Sequence, residues 1–153
     1  MKTSRSYPDI DQAVALLCAK GIASKDTIRG CSEQEIQEVC EDARQVLPHG
    51  YIYFLERIGN GAGMFFRGTD LFYPSMLGTT EIGREIVRED ENGLELASNA
   101  FVFSMHQGYS FMFFYADESD DPAVWYYLEQ SGQFKKKNER FTRYIRDCAD
   151  GTS

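Results

Sequence analysis

No apolar run in this chain approaches the roughly 20 residues a membrane-crossing helix needs, so none is expected. The opening stretch MKTSRSYPDIDQAV lacks the apolar core of a secretory signal, so a cytoplasmic protein is expected. Histidine is scarce. His49 and His106 are the only two, 106 − 49 = 57 residues apart, with no H-x-x-x-H or H-E-x-x-H spacing to seed a zinc site. None of the four cysteines (Cys18, Cys31, Cys40 and Cys148) belongs to a C-x-x-C pair, so free thiols are expected. Cys18 and Cys40 fall on apolar helical faces, where buried, inert thiols are expected. A Cys–His catalytic pair stays open, because such pairs are made in space rather than in sequence. A G-x-S-x-G elbow and a G-K-S/T phosphate loop are both missing. Cations are outnumbered: 16 Lys and Arg against 24 Asp and Glu give 16 − 24 = −8. That charge repels nucleic acid and anionic membrane and favours a basic partner.

What is present is enough to fold. Hydrophobic residues make up 42% and aromatics 14% of 153 residues, too much for a disordered chain and the right size for one domain over residues 1–153. Ile10, Ala13, Val14, Leu17 and Cys18 keep helical spacing, with Pro8 at the start and Gly21 past the end, predicting a helix over 8–20. Ser32 and Glu35 form a capping box. It opens a second helix with apolar face Ile36, Val39, Cys40, Ala43 and Leu47, ended by Pro48. Pro48 opens a third, whose stripe is Tyr51, Phe54, Leu55 and Ile58.

From Met64 the period changes. MFFRGTDLFYP reads as a strand, a turn and a short strand, and TTEIGREIVREDEN as a helix with Ile82, Ile86 and Val87 apolar. Residues 100–105 and 109–116 have hairpin spacing around His106-Gln107-Gly108. The second of these is apolar on both faces and belongs in the middle of a sheet, under helices. A strand at 123–128, a short one around Phe134 and a helix over 138–148 complete the chain. Helices, an antiparallel meander and a closing helix make an α+β fold.

Four segments invite a chemical reading. RIGNGAGMFFRG carries Gly59, Gly61 and Gly63, but follows a helix and leads into a sheet, the reverse of a dinucleotide fingerprint. A helix end with positive φ at Gly59 or Asn60 explains it better. Acids cluster at Glu89, Asp90 and Glu91 and at Asp117, Glu118, Asp120 and Asp121, without the spacing of a calcium loop. These seven are the candidate partner-binding residues for a basic protein; singly, each is a solvated loop acid. FKKKNERFTRYIR is basic, with its lysines in a turn on a solvated edge and Phe141, Tyr144 and Ile145 on a core face.

Gly30-Cys31-Ser32-Glu33-Gln34-Glu35-Ile36, Leu47-Pro48, Tyr51, Phe54-Leu55 and Asn60-Gly61, followed by Phe101-Val102-Phe103, Phe113-Phe114-Tyr115, Asp121 to Tyr127 and Phe141 with Tyr144-Ile145, resemble the SUKH superfamily. That group contains bacterial immunity proteins and the Smi–Knr-type cell-wall assembly regulators. The resemblance covers about residues 28–149 and departs over 75–98. It implies an α+β domain with no catalytic residues and no cofactor. It also implies a protein partner: a cognate polymorphic toxin, often a nuclease, blocked by occlusion. Two other readings stay open. One is a regulatory scaffold module. The other is an enzyme or small-ligand binder built around Tyr109, Tyr126 or Tyr127. The oligomeric state is left open.

Overall fold

The computed structural model describes residues 5–153; residues 1–4 of the expected domain lie outside the described residues. Five helices surround two sheets. In chain order these are α1 (Pro8–Ala19), β1 (Ile28–Arg29), α2 (Glu33–Ala43), α3 (His49–Ile58), β2 (Gly61–Ala62), β3 (Thr69–Asp70), α4 (Thr79–Glu89), β4 (Ala100–His106), β5 (Ser110–Tyr115), β6 (Val124–Leu128), β7 (Phe134–Asn138) and α5 (Phe141–Asp150). β3 to β7 form a five-stranded meander in sequence order, antiparallel throughout, and β1 pairs with β2. This is the expected α+β architecture, and no described helix is long and apolar enough to cross a membrane.

The central strand explains the layering. Phe111 and Phe113 enter one core, with Ile86 and Val87 of α4 and Tyr127; Phe114 and Ala116 enter the other, with α1, α2, α3 and α5. Strand alternation places these two sets on opposite faces, so β5 is covered on both sides. β4 manages the same with a bulge between Val102 and Ser104. The extra residue resets the parity, so Phe101 and Phe103 face the helical core while Met105 faces α4. Tyr51 anchors the larger core. It is fully buried and meets Phe101, Phe114 and Phe141 edge-on, with ring centroids 5.2, 5.5 and 5.4 Å away.

Local signals explain most helix ends. The capping box is formed in both directions, Ser32 accepting from the Glu35 amide at 3.1 Å and Glu35 from the Ser32 amide at 2.9 Å. α2 stops at Ala43, because Arg44 turns left-handed at φ 57; Leu47 stays buried beyond the helix.

Several expectations are corrected. Residues 64–68 form turns rather than a strand, packed around Gly63 and Phe66 at positive φ. Gly59 caps α3 in an ordinary right-handed conformation, φ −60; the positive angles fall at Gly61 and Gly63. Lys135, Lys136 and Lys137 stand within β7 rather than in a turn, still on a solvated edge that resists strand pairing. Cys18 is exposed, because the buried line of α1 runs through Asp9, Ile10, Ala13 and Leu17. Ile82 is likewise 45% exposed, and the buried line of α4 is Thr79, Gly83, Ile86 and Val87.

Candidate partner-binding surface

The two acidic clusters lie at opposite ends of the sheet. Glu89 to Glu91 end α4 beside the β6–β7 turn, at the Ser110 end of β5, whereas Asp117 to Asp121 follow its Tyr115 end. Six residues of strand, roughly 20 Å, separate the two ends.

Within each cluster some acids hold the fold and others face solvent unengaged. Asp90 is a clasp. Its carboxylate accepts from the Tyr127 hydroxyl, from the Gln130 amide at 2.8 Å and from the Gln130 side chain at 2.9 Å. Burial, reinforced by Asp90, pushes the Tyr127 phenol up to about 12, so it remains the donor. Asp121 accepts from the Thr142 amide at 2.9 Å and hydroxyl at 2.6 Å, occupying the N-terminus of α5. Asp120 pairs with Arg5 and lies 3.4 Å from His49 Nδ1, while its carbonyl accepts from the Gly50 amide at 2.8 Å. Asp117 accepts from Asn99 at 2.8 Å. Glu89, Glu91 and Glu118 are exposed and, among the described residues, make no ion pair.

A denser acidic face lies elsewhere. α2 reads EQEIQEVCEDA, with Glu33, Glu35, Glu38, Glu41 and Asp42 and no cation in the helix. Glu38 stands at i, i+3 to Glu41 and i, i+4 to Asp42, spacings at which like charges destabilise a helix. Glu35 is held by the capping box and by Asn60, Glu38 receives the Tyr73 hydroxyl, and Asp42 receives the Gly78 amide at 3.1 Å. None of these donors is a cation. A cleft of about 530 Å³ between α2 and α4 adds Glu81, with Arg44 and Arg84 on its walls, and reaches Ser98. The next residue, Asn99, holds Asp117. Arg84 closes that end of the cleft on the Ala97 and Ser98 carbonyls, so a cation stands between the acids of α2 and Asp117. The signal was in the sequence: five acids in eleven residues without a basic i+4 partner, overshadowed by the apolar stripe and the capping box.

Tyr126 and Tyr127 point to opposite faces of β6, so Tyr109, Tyr126 and Tyr127 do not converge on one pocket. Among the described residues no group of three or more His, Cys, Asp or Glu is arranged to hold a metal ion. Burial raises the Cys31 thiol to about 12 and raises those of Cys40 and Cys148, which suits packed rather than nucleophilic thiols.

A comparison with curated proteins returns no match. The description SMI1 / KNR4 family (SUKH-1) matches residues 30–147, from the glycine before the α2 capping box to the last turns of α5, and so takes in both the five-stranded sheet and the acidic helix. The match spans most of the chain, and the protein belongs to the SMI1/KNR4 family (SUKH-1).

Proposed function

We propose that this protein is an immunity protein, one that binds a cognate basic toxin in the cytoplasm and occludes the surface the toxin acts through. The observation that carries this reading is the row of five acids on α2, which holds no cation of its own and whose acids make no ion pair among the described residues. Clustered like charge costs a helix stability, and a cationic partner recovers that cost by neutralising it. The exposed Asp117 and Glu118 at one end of the sheet, and the exposed Glu89 and Glu91 at the other, offer further, separate contacts. A row of carboxylates on a helix can stand in for a phosphate backbone, which suits a nuclease-type toxin. Complementary fields of this kind raise association towards about 10⁸–10⁹ M⁻¹s⁻¹ at low salt. One interface of roughly 800 Å² on this side is sufficient.

The test is binding and inhibition of the toxin domain encoded beside this chain. Association is expected to slow steeply as salt rises, and Glu38→Lys with Glu41→Lys to slow it further while leaving the fold intact. A neighbouring toxin that neither binds nor loses activity, or binding indifferent to salt and to these reversals, sinks the proposal.

A further inference from the structure

The glycine loop after α3 shapes a hollow of about 440 Å³ whose charge is opposite to the rest of the molecule. Arg29 and Arg67 stand on its wall, Phe65 and Phe72 form apolar lining, and no Asp or Glu lines it. Both arginines are exposed. Among the described residues neither makes an ion pair; Arg67 has only a weak contact to the Met64 sulfur at 3.5 Å. In a chain of net charge −8, a concave site with two guanidinium groups and no carboxylate is a local reversal of sign.

The loop is held in shape rather than left slack. Gly63 takes φ 62, and a β-carbon there would lie 2.3 Å from the Ile22 carbonyl oxygen; the Met64 amide bonds that same oxygen at 2.9 Å. Phe66 follows at φ 55. The other non-glycine residues at positive φ are polar (Arg44, Glu91, Gln107 and Gln130), as turns favour. A bulky aromatic there is uncommon; its ring meets Phe65 edge-on, centroids 4.7 Å apart, and rests partly on the core. The part of Phe66 left uncovered, with Met64, which is 54% exposed, gives the hollow an apolar rim. Arginine, methionine and aromatics are the residues enriched where proteins meet.

We infer that this hollow docks an acidic segment of a protein partner, a carboxylate side chain flanked by an apolar one. Arg29 and Arg67 pair with the carboxylate through the planar fork that suits it. The apolar neighbour seats against Met64, Phe66 and Phe72. An open hollow with an apolar rim desolvates a lone anion poorly, but is closed over by a side chain carried on a larger body. The site is distinct from the acidic surface and does not depend on the toxin reading.

The experiment is an NMR amide titration of the full chain at low salt with acetyl-Gly-Asp-Phe-Glu-Gly-amide, its Asn/Gln counterpart, and inorganic phosphate. Shifts clustered on residues 27–29 and 60–69 are expected with the acidic peptide and not with the neutral one. Arg29→Ala with Arg67→Ala is expected to weaken binding about tenfold or more. Both arginines are exposed, so the variant spectrum should otherwise match. Equal shifts with the neutral peptide, shifts elsewhere, or none, overturn the inference. So does phosphate acting on the same amides at or below the peptide's concentration, which would mark a free-anion site instead.

Discussion

The Asp121 carboxylate binds both the amide and the hydroxyl of Thr142, at 2.9 and 2.6 Å, and so fastens the acidic loop to the start of α5. Arg140 comes within 3.9 Å of the same carboxylate and pairs with Asp9, also bound by Arg146, which ties α1 to α5. An acid named as a candidate partner contact thus also caps a helix.

Asp121→Ala should therefore cost about 1–2 kcal/mol in urea unfolding, and Asp121→Asn less, because the amide oxygen still accepts. The acid limb carries a sign. Burial raises the Asp121 carboxyl above its ordinary value, outweighing the Thr142 bonds and Arg140. A raised folded-state pKa contributes stability that is full below the unfolded value, near 3.9, and lost as pH rises through the folded value. The stability of the wild type relative to Asp121→Asn should thus improve as pH falls from neutral towards that range. A relative loss on acidification would show that the hydrogen bonds dominate.

Tyr51 offers a stabilising substitution. Its ring fills the aromatic core, yet its buried hydroxyl has no hydrogen-bond partner among the described residues. Tyr51→Phe keeps the ring contacts and removes an unsatisfied group, so stability should rise by about 1 kcal/mol. Calorimetry should register this as a Tm gain of about 2–4 °C. A fall in Tm would mean the hydroxyl is bonded in solution.

Gly30 lies so close to α3 that a β-carbon would stand 1.9 Å from the Glu56 carbonyl oxygen. The adjacent Cys31 amide bonds the Leu55 carbonyl at 2.8 Å, so the segment cannot step back without losing that bond. Gly30→Ala should cost about 2–3 kcal/mol by chemical denaturation. A neutral result would show that β1 and α3 separate freely.

Thiol labelling should distinguish the four cysteines. Cys18 is exposed and should react with Ellman's reagent at once in the native protein. Cys31, Cys40 and Cys148 are partly buried with raised pKa values and should react slowly at pH 7, becoming accessible on denaturation. Two or more fast thiols would contradict the packing around α2 and α5.

The chain's own pattern determined its secondary structure wherever a period or a cap is strong. The Ser32–Glu35 box, the Tyr51–Phe54–Leu55–Ile58 stripe and the two-faced apolar run of β5 act within a few residues, so each is legible locally. β1 and β2 were not legible, since two-residue strands have no period and exist only because Ile28 finds Ala62. The outward turn of Cys18 depended on which face of α1 the rest of the protein covers. The same division governs the surface. Net charge is a sum over residues and could be counted; the separation of Glu89–Glu91 from Asp117–Asp121, the use of Asp90 and Asp121 as clasps, and the arginine-lined hollow are distances between residues far apart in sequence. Composition set the sign of the molecule, and only the tertiary structure decided where each charge stands and which of them are already engaged.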